Sequence, residues 1–333
     1  MHTFHSIARH GALVSRRSAL AWGAAALGAP ALALAQGEGR PLRMILPVSA
    51  GSGADGAMRA ISNSLAKALG HPVVIENLPG AGGITGTAQI VRAPRDGSVI
   101  GVVSNNHVVN PAVYRNIPFD SLADITPITV IGTPPFVLVA PPSVPARMVQ
   151  ELVAYAKAHP GVLNYGSSGN GTILHLGAAM FVDQAGLGIR HIPSRGKGPP
   201  IYDNPGGLVQ LGVGGHAPPA GLLKSGALRA LGVTSAARVA SLPQVPTIAE
   251  QGLPGYELDG WIAAIGPAGL PRAEVDRIYQ GFQRALQMPE ARDALVAQGY
   301  VIRLPPPEEA AAFFRSETAR MAQAVKSANV KMD

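Results

Sequence analysis

Two stretches of this chain repeat one order of elements: an apolar run, a glycine-rich turn, then apolar residues at helical spacing. The first begins at Leu42. Leu42–Pro47 is a short apolar run, Ser49–Gly56 is a turn, and Ala57–Leu69 carries Met58, Ile61, Leu65 and Leu69 on one helical face. Gly70 follows, where a helix commonly stops. Val73–Ile75 predicts a second strand, Pro79–Gly83 a turn, Thr87–Arg92 a helix and Ser98–Val103 a third strand. This alternation predicts a parallel sheet with helices on both faces.

The order recurs after about Val137. Phe136–Ala140 predicts a strand and Met148–Ala158 a helix, with Val149, Leu152, Val153 and Ala156 on one face. Leu163–Tyr165 predicts a strand, Gly166–Gly171 a turn, Ile173–Gln184 a helix and Ile189–Ile192 a strand. Leu208–Val213 and Ala230–Val233 read as further buried strands. Beyond Trp261 the pattern turns helical: Ala273–Leu286, Glu290–Gln298 and Glu308–Ser327, with Pro271, Pro289 and Pro307 near their starts. The expected architecture is α/β, a two-lobed clamshell with a helical C-terminal tail that returns to the first lobe. Residues 37–137 and 262–333 make lobe 1, and residues 138–261 make lobe 2. In such sheets ligands bind beyond the carboxyl ends of the strands, where this chain places its Gly/Ser/Asn loops.

Residues 1–36 have a different logic. Arg16-Arg17 precede the apolar, Ala-rich Ala21–Leu32, and Ala33-Leu34-Ala35 offers a small-x-small cleavage site. This is the form of an export signal, and the paired arginines suit the twin-arginine route. The apolar stretch is too short to span a bilayer, which argues against a retained anchor. The mature chain is expected to begin near Gln36 or Gly37 and to work in the periplasm. With no cysteine, its cores form without disulfides. The formal net charge is +7, of which Arg9, Arg16 and Arg17 leave with the signal. The remaining excess would help attract an anionic solute, or serve solubility alone. No Lys/Arg run or basic-aromatic stripe is present, so no nucleic-acid partner is expected.

Gly51-Ser52-Gly53-Ala54-Asp55-Gly56 spells G-x-G-x-x-G, and Glu76 ends the next predicted strand. On spacing alone this is a dinucleotide fingerprint. Pro47 and four further residues separate the strand from the first glycine, where that fingerprint needs a tight turn. Exported proteins also meet little dinucleotide. What survives is the anion-binding property of backbone N–H groups at a helix N-terminus. Gly166-Ser167-Ser168-Gly169-Asn170-Gly171-Thr172 is the same device in the second unit, with a plain capping loop as the alternative. It does not match G-x-S-x-G, and no base is evident for Ser167 or Ser168. The histidines lack metal-ligand spacing, so no metal is expected, and His175 and His191 read as structural residues. No cofactor and no catalytic residue is expected.

Six stretches in order carry a family resemblance: Pro79–Gly83, Ala93–Gly97, Asn110–Tyr114, Leu163–Gly171, Leu242–Thr247 and Glu250–Glu257. Together they resemble the Bug family, the extracytoplasmic solute receptors of tripartite tricarboxylate transporters. The resemblance covers about Pro41 to Asp333. It implies a type II periplasmic-binding-protein fold and a monomeric receptor, not an enzyme. Such a receptor closes on a small carboxylate and delivers it to membrane permease subunits. It implies ligand contacts from Ser49, Ala50, Gly51, Ser52 and Asp55 in one loop. The other loop would contribute Ser167, Ser168, Gly169, Asn170 and Thr172, with the segment Ser104–His107, Ser104 and Asn105 among it, nearby.

There are departures. Where the family commonly has His-Val-Pro-Tyr-Lys-Gly, this chain has His191-Ile192-Pro193-Ser194-Arg195-Gly196, which suggests Arg195 as a planar carboxylate donor. A surface role for Arg195 is the alternative. Gly214 and Gly215 stand where amino-acid binders of the family place an Asp, and Lys197–Pro205 replaces a helix. The expected ligand is a di- or tricarboxylate or an aromatic acid. The competing readings are a degenerate receptor kept as a sensing or interaction partner, and an NAD-dependent oxidoreductase using the Gly51–Gly56 loop.

Overall fold

In the computed structural model, Leu42–Leu46 (β1) sends Leu42, Met44 and Leu46 into one buried cluster and Ile45 into another. A strand covered on both faces needs helices on both sides of its sheet. The structure describes residues 40–194, 200–215, 217–328 and 330, all in a unit that runs from Arg40 onward. The expected export signal, Arg195 and residues 196–199 lie outside the described residues.

Gly53–Leu69 (α1) buries Met58, Ile61 and Leu65 completely, each worth about 1.5–3 kcal/mol of apolar transfer. Gly70 ends it in the left-handed conformation and donates its N–H to Ala66. Val73–Asn77 (β2), Ile84–Val91 (α2) and Val99–Ser104 (β3) follow, and β2 and β3 lie parallel to β1 on either side. Asn106–Val113 (α3) leads to Ile125–Thr133 (β4). Phe136–Ala140 (β5) opens a second sheet, followed by Val149–Ala158 (α4), Asn164–Ser167 (β6), Ile173–Gln184 (α5) and Arg190–Pro193 (β7). Leu211–Gly215 (β8), Ala220–Lys224 (α6) and Arg229–Val233 (β9) complete that part.

The chain then returns. Ile262–Pro267 (β10) inserts antiparallel between β3 and β4 of the first sheet. Arg272–Gln287 (α7), Pro289–Ala297 (α8), Val301–Ile302 (β11) and Pro307–Ser327 (α9) finish the chain. The first sheet has the order β11-β4-β10-β3-β1-β2, and the second β7-β6-β8-β5-β9. The C-terminal helix α9 packs on α3 and β4, so the helical tail does return to the first sheet. There Trp261 Nε1 donates to Glu317 at 2.9 Å, and Phe314 meets His107 edge-on.

Two sequence expectations are corrected here. Neither sheet is purely parallel: β10 and β5 run antiparallel to their neighbours. The region after Trp261 is also not only helical, since β10 precedes α7. β10 is Ile-Ala-Ala-Ile-Gly-Pro, buried at every position. Such a run lacks the alternation that marks a half-exposed strand, so periodicity does not separate it from a buried helix segment. A third difference is local. The turn read as Ser49–Gly56 ends earlier, because Ser52 caps α1 and the helix begins at Gly53.

Candidate functional site

The loop after β1 is built around one buried carboxylate. Gly51 sits at φ +81°, a conformation glycine adopts without strain. Its N–H donates to Asp55 Oδ2 at 2.9 Å, while Asp55 N–H donates back to Ser52 Oγ at 3.3 Å. This reciprocal arrangement is a variant of the capping box. Asp55 Oδ1 also accepts from Arg59 Nε at 2.9 Å and from Asn77 Nδ2 at 3.0 Å. Arg59 in turn donates to Asn77 Oδ1, and Asn77 to the Val48 carbonyl. Burial alone pushes the Asp55 carboxyl up. The donors Arg59, Gly51 N–H and Asn77, with the Arg59 charge, outweigh it and hold the group below its ordinary value. Asp55 is 3 % exposed and spends its oxygens on the protein. Asp55 is therefore the organiser of this loop. Ala50 and Gly51 are exposed, and Ser52 is half-buried.

The loop after β6 reaches the same shape with neutral groups. Ser167 is fully buried, and its Oγ lies 2.7 Å from His191 Nε2. The same oxygen accepts from Gly169 N–H at 3.1 Å and lies 3.1 Å from the Gly169 carbonyl. Gly169 has φ +138°, open to glycine alone. Thr172 caps α5 by accepting from His175 N–H at 3.3 Å. Its hydroxyl donates to the Gly169 carbonyl and accepts from Ser168 Oγ. Gly171 N–H donates to His175 Nδ1 at 3.1 Å, so the His175 ring carries its proton on Nε2.

Beneath this loop the rings are stacked. His175 and His191 lie 3.8 Å apart at 10°, and Tyr165 packs beside both, 4.9 Å from His191 and 6.1 Å from His175. Burial, and for His175 also the facing His191, pushes the two imidazoles down to about 3 for His175 and about 4 for His191. Both are neutral at physiological pH. This corrects the expectation that Ser167 has no base within reach. The pairing joins residues from β6 and β7, which are paired in register but 24 apart in sequence, so no local motif reveals it. A nucleophile must meet its substrate, and the buried Ser167 hydroxyl is held by Gly169. Ser167 and His191 are thus the loop's internal frame.

The remaining expected contacts divide. Asn170 and Ser168 are half-buried at the loop surface, and the Asn170 side chain has no hydrogen-bond partner among the described residues. Ser104, the last residue of β3, lines a small cavity of about 10 Å³ with Pro47, Val48, Gly82, Thr87 and Asn106. Asn105 is 1 % exposed, accepts from Trp261 N–H and donates to the Asp259 carbonyl, both at 2.9 Å. It ties β3 to the segment entering β10. Its neighbour Asn106, within the expected Ser104–His107 segment, reaches α5: its Oδ1 accepts from Ile173 N–H at 2.8 Å. Asn106 therefore borders Pro47 and Val48 of the first loop while touching the start of α5 beyond the second. Asn106 thus spans from the end of β1 to the helix that follows the second loop.

Two helix N-termini, those of α1 and α5, each stand behind a glycine loop at a strand's carboxyl end and carry partial positive charge. That arrangement suits an anion. Among the described residues no group of three or more His, Asp or Glu side chains is placed to hold a metal ion. No described helix is long and apolar enough to cross a membrane. A larger depression of about 500 Å³ lies elsewhere, among Gln283, Leu286, Arg292, Val296 and Tyr300 near β11, and neither loop contributes to it.

Comparison with known proteins agrees with this geometry. Residues 57–330 match the model of the tripartite tricarboxylate transporter family receptor. The chain is 35% identical over 282 residues to a UPF0065 protein in the tcbD-tcbE intergenic region of Pseudomonas sp. strain P51, covering 84% of each chain. Among solved structures, periplasmic binding protein BugD superposes with a TM-score of 0.82 at 30% identity, over 88% of this chain and 99% of that one. A Rhodopseudomonas palustris protein solved with adipate superposes with a TM-score of 0.83 at 29% identity, over 88% of this chain and 99% of that one. The mixed sheets and returning tail are those of the type II periplasmic-binding-protein clamshell, and the proteins that share them are binding proteins and receptors rather than enzymes. With these matches, its mixed sheets and its returning tail, the chain belongs to the Bug family of tripartite tricarboxylate transporter receptors.

Proposed function

We propose that this protein is a periplasmic receptor that captures a small organic carboxylate between its lobes and delivers it to membrane permease subunits. The observation that carries the reading is the hydrogen bond from Ile173 N–H at the start of α5 to Asn106, which borders Pro47 and Val48 after β1. On this reading the bound carboxylate gains from the N-termini of both α1 and α5. The adipate held by the Rhodopseudomonas palustris neighbour supports a dicarboxylate. On this reading residues 37–137 with 262–333 form one lobe and residues 138–261 the other. The first 36 residues direct export.

The chemistry at β8 narrows the ligand class. A Cβ at Gly214 would lie 2.1 Å from Tyr202 Oη, so no side chain fits beneath that ring. The position therefore offers no carboxylate to a ligand amine, and acids without an amino group are favoured over amino acids. Ser194, small where the family commonly carries a tyrosine, leaves room for an aromatic acid.

The test is a thermal-shift and calorimetric panel of adipate, malate, citrate, phthalate, benzoate and glutamate on the purified mature chain. A ligand bound by the folded form alone raises its melting temperature. The expected result is a shift with diacids or aromatic acids and none with glutamate. No shift with any acid overturns the reading. Export is checked by the N-terminal sequence of the periplasmic protein, expected at Gln36 or Gly37.

A further inference from the structure

Asn106 is the first residue of α3, and its side chain crosses from the first sheet to the second. A backbone N–H is only a donor, so the contact with Ile173 fixes the amide with Oδ1 toward α5. The Nδ2 group has no hydrogen-bond partner among the described residues. Asn106 is half-buried and lines the cavity beside Ser104, Pro47 and Val48, at the first loop. Several N–H groups of the second loop are already taken: Gly169 by Ser167, Gly171 by His175 and Ile173 by Asn106.

We propose that Asn106 is a ligand-positioning residue that couples lobe closure to carboxylate binding: its Oδ1 latches the Ile173 amide while its Nδ2 donates to the bound carboxylate. This rests on the carboxylate reading above. The two tasks need one acceptor and one donor on a single short side chain, and asparagine supplies both. Aspartate keeps the acceptor, strengthened by charge at a helix N-terminus, but lacks the donor and repels a second carboxylate. Alanine keeps neither.

The experiment compares wild type, Asn106→Asp and Asn106→Ala on two readouts. The first needs no ligand: hydrogen exchange at the Ile173 amide by NMR, with melting temperature reporting the integrity of each variant. Protection at Ile173 is expected to fall in Asn106→Ala and to persist in Asn106→Asp. The second is calorimetric affinity for adipate at pH 7.5 and pH 5. Asn106→Ala is expected to weaken binding about tenfold. Asn106→Asp is expected to weaken it further, about a hundredfold at pH 7.5, with partial recovery at pH 5 as the new carboxyl takes up a proton. A merely structural latch predicts that Asn106→Asp, which keeps the latch, binds as wild type does, so that result overturns the proposal. Unchanged Ile173 exchange in Asn106→Ala overturns the latch. A wild type that binds no adipate removes the ligand half together with the dicarboxylate reading, while the exchange data still decide the latch.

Discussion

The two glycine loops do one job with opposite electrostatics. The loop after β1 is organised by a charged, buried group: Asp55 takes Gly51, Arg59 and Asn77 as donors. The loop after β6 is organised by neutral ones: Thr172 caps the helix, His175 holds Gly171, and Ser167 links Gly169 to His191. A charge in the first loop is tolerable because Arg59 neutralises it and stays half in solvent. Beneath the second loop a positive charge would lie against another buried ring, so both histidines remain neutral. The difference teaches that a glycine loop can be shaped without a formal positive charge, leaving backbone dipoles as its attraction for an anion.

Acid should separate the two loops, and this is the largest effect expected. The folded His175 and His191 titrate near 3 and 4 rather than the ordinary 6.5, so the unfolded chain binds more protons. Their contribution to stability is complete above pH 6.5 and is lost as pH falls from there through about 4 to 3. Buried His107, pushed down to about 4 by burial against the gain from the Ser121 carbonyl, adds to the same window. The Asp55 contribution, from a lowered carboxyl, holds until below pH 3.8. Melting temperature should therefore fall between pH 6.5 and 4.5, and His175→Gln should flatten part of that slope. A flat profile would break the assignment of neutral, buried rings.

The next effect comes from the charged loop. Asp55→Ala strips the acceptor from Gly51 and leaves Arg59 without its partner, at a cost of about 2–3 kcal/mol in urea unfolding. Equal stability of the variant would mean that Asp55 does not organise the loop. In the neutral loop, Gly169→Val forces a branched side chain to φ +138° and sets its Cβ 3.2 Å from the Ser194 carbonyl. The cost should be about 1–3 kcal/mol, with weaker carboxylate binding read by calorimetry. The smallest effects are the caps. Ser52→Ala and Thr172→Ala should each cost about 1 kcal/mol, and a clear inequality between them would show which loop leans more on its cap.

Much of the frame was legible from residue order. Phe136–Ala140 and Ile173–Gln184 have in the structure the bounds expected of them, because Pro134-Pro135 and Pro141-Pro142 flank the first, and Gly171-Thr172 and Gly186 the second. Both glycine loops fell at strand ends ahead of helices, as expected. The sheet directions were not legible, since β10 arrives from far along the chain and carries no alternation. Within the site, the loops that carry Asp55 and Asn105 are legible, but the hydrogen-bond partners of these residues are not. Their partners Arg59, Asn77, Asp259 and Trp261 reveal internal roles, and only folding brings most of these together.

The sequence by itself determined the local devices: where helices begin and stop, which loops carry glycine, and where backbone N–H groups are left for an anion. These depend on neighbouring residues and on conformations that glycine, serine and threonine prefer. Tertiary structure decided which of those groups remain available. Side chains distant in sequence compete for the same donors: His175 for Gly171, Ser167 for Gly169, Asn106 for Ile173. A buried hydrogen-bonding group takes whichever partner packing brings within about 3 Å, and that choice is made across 67 residues as readily as across four.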